Sequence, residues 1–296
     1  MVDNKQDYKI AVVLNAFKRT NYLEKQLEAI ENQTIKPTDI YVWQNAGGKI
    51  PENLKSRFIL AKCSDNLGVW ARFAYALNID ADYICIFDDD TIPGNRWFEN
   101  CINTIKDYTG LLGTRGLRYM SPKRYHPFEH YGWGNPNEET IEVDIVGHAW
   151  FFKREHLAMF WSEMPPKDAS KIAGEDIHFS YMLQKFGLAT YVPPHPKDDK
   201  SLWGSLPEYG EKIGTDENAI SSDQTALSRF DIALQYYTSK GFKLYLGLNE
   251  RLKKGVVIGS GVRGNNTIRN FINKNPKMKN VAKWFLKRLD KFGIHI

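Results

Sequence analysis

The stretch YICIFDDDT, residues 83 to 91, constrains the chain more than any other, because a short apolar run ends abruptly on three consecutive aspartates. Ile84, Ile86 and Phe87 read as a buried strand too short for a convincing helix. Buried parallel strands of open α/β sheets present their functional residues at the carboxyl end. Asp88, Asp89 and Asp90 repel one another there unless a cation or donated hydrogen bonds offset the charge. A divalent cation such as Mn²⁺ or Mg²⁺ is the natural partner, since it takes one or two carboxylates and fills its other positions with water and substrate phosphates. The alternative is an acidic helix cap at Asp90 or Thr91, with Pro93 in the first turn and a helix over 94 to 108.

At 296 residues the chain can bury a full core. Its net charge of +5 suits a polyanionic ligand or an anionic membrane surface. Cys63, Cys85 and Cys101 lack metal-type spacing and fit a reducing compartment. The N-terminal residues MVDNKQDYKI hold no signal-peptide core, and nowhere do eighteen apolar residues run together. A cytoplasmic protein is expected, and the sequons at Asn32 and Asn265 read as chance matches.

IAVVLNAF, 10 to 17, is a first strand, and TNYLEKQLEAIENQ follows with Leu23, Leu27 and Ile30 at helical spacing. DIYVWQNAGG, 39 to 48, supplies a second strand, and Phe58 to Leu60 a short third. Asn66 and Gly68 open a helix whose apolar face carries Leu67, Trp70, Phe73 or Ala74, and Leu77, leaving Arg72 outside that face. Asn15, Asn45, Asn66 and Asp88 then end or follow strands at one sheet edge, where a nucleotide would lie.

These residues resemble the GT-A fold nucleotide-sugar glycosyltransferases, and most closely the exostosin-like α-N-acetylhexosaminyltransferases. NAFKRTNYLEKQL is similar to that family's first strand and Asn-Arg-Thr turn, with Lys18 in place of the asparagine; DIYVWQNAGGKIPENL resembles its second strand, and FDDDTI its metal motif. The resemblance implies an α/β GT-A domain over residues 1–245, a mixed sheet flanked by helices, and transfer from a UDP-sugar to a glycan or lipid-linked saccharide. It also implies that Asp90, with Asp88, ligates Mn²⁺. Asp88 and Asp89 would contact ribose, metal water or donor sugar, and Asn15, Arg19, Asn45, Asn66 and Arg72 would hold the nucleotide diphosphate.

Residues 109 to 140 crowd Gly, Pro, aromatic and basic residues without a clear period, and read as a surface insertion beside the site. His126 and His130 are not a zinc motif, because Pro127 interrupts their spacing. VDIVGHAWFFKREHLAMF, 143 to 160, is a strand and helix resembling the acceptor-side strand, in which Gly147 would face the donor sugar. Glu175 and Asp176 open the next helix, as macrodipole partners or as the acidic pair beside the transferred bond. Here Ala173 and Gly174 replace the Asn-Cys of the exostosin-like pattern. His195 falls where many GT-A enzymes carry a third metal ligand, and Arg229 on the catalytic arginine of the final helix.

The resemblance implies retention of anomeric configuration; an acidic pair acting as general base implies inversion, with Asp176 deprotonating the acceptor. A carbohydrate-binding module without turnover is the non-enzymatic alternative. The GxGxxG match GSGVRG, 259 to 264, lacks the βαβ context of a dinucleotide site, and no nucleic-acid partner is expected. Residues 246–296 form a basic tail whose end has apolar residues at helical spacing, the pattern of a peripheral anchor on a membrane surface.

Overall fold

The computed structural model describes residues 7–213 and 224–245. The expected basic tail and GSGVRG lie outside them. The first strand, β1 (Ile10–Ala16), is followed by α1 (Leu23–Glu31), β2 (Asp39–Asn45), β3 (Ile59–Cys63), α2 (Ala71–Ala76) and β4 (Tyr83–Phe87). Then come α3 (Trp97–Asp107), β5 (Gly110–Tyr119), β6 (Phe128–Gly132), β7 (Ile141–Val143), β8 (Ile145–Lys153), α4 (His156–Phe160) and α5 (Glu175–Lys185). The described chain closes with β9 (Ala189–Val192), α6 (Pro207–Ile213) and α7 (Gln224–Ser239).

One mixed sheet runs in the order β3-β2-β1-β4-β8-β5-β9-β7, with β6 paired to β5. β1 to β4 are mutually parallel, while β8 is antiparallel to both β4 and β5. The continuous apolar run of β1 follows from burial on both faces. Ile10, Val12 and Leu14 pack with Leu23, Leu27 and Ile30 of α1 and Trp97, Phe98 and Cys101 of α3. Ala11 and Val13 join Phe73 of α2, Phe160 of α4 and Phe179 and Leu183 of α5 on the other face. A third cluster joins α5 to α7 through Ile177, Tyr181, Leu234 and Tyr237.

Two expectations about elements need correction. Residues 110–119 are not a surface insertion but a central strand, β5, hydrogen-bonded to three neighbours. Its glycines hide the period because they make room for side chains on other strands: a Cβ on Gly113 would lie 2.4 Å from Val146 Cβ, and one on Gly116 2.3 Å from Val192 Cγ2. The second correction concerns Arg72. α2 begins only at Ala71, Leu67 and Leu77 are exposed, and Arg72 is buried beside Phe73.

Candidate active site

The chain runs outward from β1 through β2 to β3 and then returns to place β4 on the other side of β1. That reversal leaves a crevice above the carboxyl ends of β1 and β4, the usual ligand position in open α/β sheets. Arg19, just past β1, and the three aspartates, just past β4, face each other across it: Arg19 Nη1 lies 3.1 Å from Asp89 Oδ1 and 3.6 Å from Asp90 Oδ2. The aspartate turn is held from below by Gln26 of α1, whose buried amide donates to the carbonyls of Asp88 at 2.6 Å and Thr91 at 2.8 Å. Sequence reading missed Gln26, because an isolated glutamine on an amphipathic helix carries no signal of its own.

Asp88 and Asp90 are joined by a residue that the sequence reading passed over, His148. Its Nδ1 lies 3.5 Å from Asp90 Oδ1 and 4.0 Å from Asp88 Oδ2. β8 pairs Trp150 with Gly113 but Gly147 with Arg115, so it carries one residue more than β5 between these pairs. The extra residue makes a bulge, and His148 sits there at φ +68°, in the left-handed region. A non-glycine residue in that region is rare enough to point to a functional constraint. One ligand atom from each of Asp88, Asp90 and His148 falls within 4.8 Å of the others. Two carboxylate oxygens and an imidazole nitrogen form a donor set that fits Mn²⁺ or a similar divalent cation. Burial raises the Asp90 pKa, but the His148 hydrogen bond and charge, with Arg19, outweigh it and hold Asp90 low. Asp89, by contrast, is pushed up to about 6 by burial and by Asp90.

His195 does not belong to this group, which corrects its expected role. It is fully buried between Trp97 and Trp203. Nδ1 contacts the Pro193 carbonyl at 2.8 Å, while Nε2 meets the Thr114 hydroxyl at 2.9 Å and the Gly204 N–H at 3.3 Å. With both nitrogens engaged and burial lowering its pKa to about 4, it is a neutral structural histidine.

Arg72 also serves the site differently from expectation. One arm pairs with Asp88 and the other with Glu175 Oε1 at 3.0 Å, and the guanidinium lies 4.4 Å from the Trp150 ring. Burial opposes its charge, and the two carboxylates overcome that cost and raise its pKa. It therefore fixes the strand-end carboxylate to the start of α5 rather than offering free arms to a diphosphate. Gly174, at φ +102°, turns the chain into α5 and presents Glu175 and Asp176 together. Asp176 keeps part of its surface exposed, accepts the Ile177 N–H at 2.7 Å, and has its pKa raised by burial and then by Glu175.

The asparagines divide. Asn15 is half-buried at the end of β1. Asn45 donates to Asn66 Oδ1 at 2.9 Å and accepts from Leu67 N at 2.8 Å, while Asn66 also accepts from Gly68 N. The pair staples the 66–68 turn to β2 and holds the crevice wall in place. Beside it, at the carboxyl ends of β2 and β3, opens a cavity of about 800 Å³ lined in part by Gln44, Gly48, Ile50, Lys55, Lys62 and Cys63. A Cβ built on Gly147 would meet nothing within 4 Å, so this glycine faces open space. Arg229 is exposed on α7, one turn before Ala233, which packs 3.1 Å from a Cβ built on Gly174.

No curated protein sequence matches the chain. Among solved structures, a mannosyltransferase from Pyrobaculum calidifontis in complex with GDP-Man and Mn²⁺ is similar at 14% identity and a TM-score of 0.42, over 85% of this chain and 80% of that one. The family model of glycosyl transferase family 2 matches residues 11–164, from β1 through α4, and so takes in the crevice, the aspartate turn and His148. The broader expectation, a mixed α/β GT-A glycosyltransferase, thus stands without its exostosin-like branch. The chain belongs to glycosyl transferase family 2.

Proposed function

We propose that the protein transfers a hexosyl or N-acetylhexosaminyl group from a nucleotide-sugar donor, a UDP-sugar on the sequence reading, to a glycan or lipid-linked saccharide. The observation that carries this is the Asp88, Asp90 and His148 group at the carboxyl end of β4, beside the strand reversal. These three residues would hold Mn²⁺ or Mg²⁺, which when bound neutralises charge on a diphosphate leaving group. Arg19 positions Asp89 and Asp90, and the Arg72–Glu175 pair keeps Asp88 in place. The cavity beside Lys55 and Lys62 has the size for a nucleoside. Arg229, on the helix that abuts the start of α5, would stabilise the departing diphosphate.

Asp176 favours inversion over the retention that the exostosin-like resemblance implies. It is a partly open carboxylate with a raised pKa, no cation is bonded to it among the described residues, and its neighbour Glu175 is committed to Arg72. Those are the attributes of a general base for an acceptor hydroxyl. The test incubates the full chain with UDP- and GDP-sugars in Mn²⁺ or excess chelator and measures free nucleotide. Metal-dependent release of nucleoside diphosphate is expected; release of monophosphate would indicate nucleotidyl transfer, and glycan binding without turnover a binding module.

A further inference from the structure

Arg115 has no part in the donor and metal chemistry of the crevice. It sits on β5 directly opposite Gly147 of β8 on one side and Gly132 of β6 on the other. Directly opposed residues of an antiparallel pair project to the same face of the sheet. Arg115 therefore rises between two positions that carry no side chain, and the space above Gly147 is open. Its guanidinium lies 5.0 Å from the Trp133 ring, and Trp133 in turn lies 4.9 Å from His148. Among the described residues no carboxylate pairs with it and no side-chain hydrogen bond satisfies it.

A cation in such a place is costly. Part of Arg115 remains exposed, yet burial is the first cause pulling its pKa down, and its charge contributes, after burial, to lowering the pKa of His126 and His130. Other withdrawn arginines here are paired: Arg72 with Asp88 and Glu175, Arg19 with Asp89. Beside Arg115, Trp133 Nε1 is buried without a hydrogen-bond partner among the described residues. A part-exposed cation with no carboxylate partner, next to an indole N–H with no acceptor, suits an anion.

Position decides which anion. The sheet order is β1-β4-β8-β5, and neighbouring strands lie about 4.8 Å apart, so β5 is roughly 10 Å beyond the aspartate strand on the side away from β1. Donor phosphates belong at the aspartate turn, and the transferred sugar beside Gly147. Next along the same face comes the acceptor. We infer that Arg115 is the specificity-determining cation for an acidic acceptor, binding a carboxylate or phosphate near the hydroxyl that receives the sugar. This rests on the glycosyl-transfer reading.

The experiment uses the full chain with Mn²⁺, with and without UDP or GDP, and follows calorimetric binding and thermal midpoint for glucuronate, glucose 6-phosphate and neutral glucose. At least one anionic probe should bind about tenfold or more tightly than glucose and raise the midpoint. Arg115→Gln and Arg115→Met should abolish that preference, leave nucleotide affinity unchanged and not lower the midpoint of the free protein, since they remove an unpartnered charge. If the neutral variants fail to fold, Gly147→Val, which fills the open space and keeps the cation, should block the anionic probe. The inference is overturned if wild type prefers neither anion. It is equally overturned if the Arg115 variants bind the probes as wild type does, or if they weaken nucleotide and probe in parallel. An Arg115-dependent preference for UDP-glucuronate over UDP-glucose would move the anion to the donor and also overturn it. Failure of every nucleotide to bind wild type would defeat glycosyl transfer itself, and the probes alone would still test Arg115.

Discussion

Two histidines separate what a residue does from where the sequence puts it. His195, flanked by prolines, has both nitrogens hydrogen-bonded in the interior, whereas His148, inside an apolar strand, reaches the carboxylates. His148→Ala should therefore weaken Mn²⁺ binding about 10- to 100-fold or more while leaving the fold intact, as removal of a metal ligand or its support does. His195→Ala should leave Mn²⁺ affinity unchanged and lower the thermal midpoint, because it orphans buried partners. Mn²⁺ titration and melting of both variants check this. Asp90→Asn should remove nearly all turnover with the fold retained, measured by diphosphate release. Asp176 gives a pH signature: its pKa is raised in the folded state, so between the ordinary carboxylate range and that raised value the folded state binds more protons than the unfolded one. Stability then falls as pH rises through that window. Asp176→Asn should flatten the fall, as read from urea denaturation at several pH values, and should cut turnover far more than nucleotide affinity. A slope equal to wild type would show that Asp176 is not the titrating group.

At the scale of elements, the parallel half of the sheet was legible because each of its strands is a short apolar run meeting a polar residue at one edge. β1, β2 and β4 and the turns after them lie where the pattern puts them. The antiparallel half was opaque for a physical reason. β5 reads GLLGTRGLRY, and its glycines and arginines erase alternation although nearly the whole strand is buried. Gly113 and Gly116 are packing partners of valines on β8, β7 and β9 rather than turn residues. The β8 bulge was equally invisible, since no residue type announces an extra register position. Gly116→Val should consequently cost about 1–3 kcal/mol in urea denaturation, the usual penalty of overpacking a core. Arg72 was misplaced because a helical face drawn from apolar spacing cannot register an arginine drawn inward by Asp88 and Glu175. Its removal leaves Glu175 unpaired in the interior and Asp88 without its partner, so Arg72→Met should destabilise by about 3–5 kcal/mol, with Mn²⁺ recovering part of the loss in a thermal-shift measurement.

For the whole molecule, the sheet order arranges the proposed reaction along one direction, with nucleotide over β2 and β1, divalent cation over β4 and β8, and acceptor over β5. No helix among the described residues is long and apolar enough to cross a membrane. Over residues 274–296 the sequence concentrates charge: Lys274, Lys277, Lys279, Lys283, Lys287, Arg288 and Lys291 stand against a single acid, Asp290. Interleaved Val281, Trp284, Phe285, Leu289 and Phe292 give that stretch the composition of an interfacial anchor. Each basic residue near an anionic leaflet contributes about 1 kcal/mol. The full chain should therefore sediment with vesicles containing anionic lipid, lose that binding in high salt, and bind neutral vesicles weakly. Truncation after residue 273 removes no described element, so it should abolish sedimentation while turnover on a soluble acceptor persists. Equal, weak binding of both proteins to anionic vesicles would defeat the anchor, and loss of soluble yield on truncation would instead assign these residues to packing on the catalytic unit.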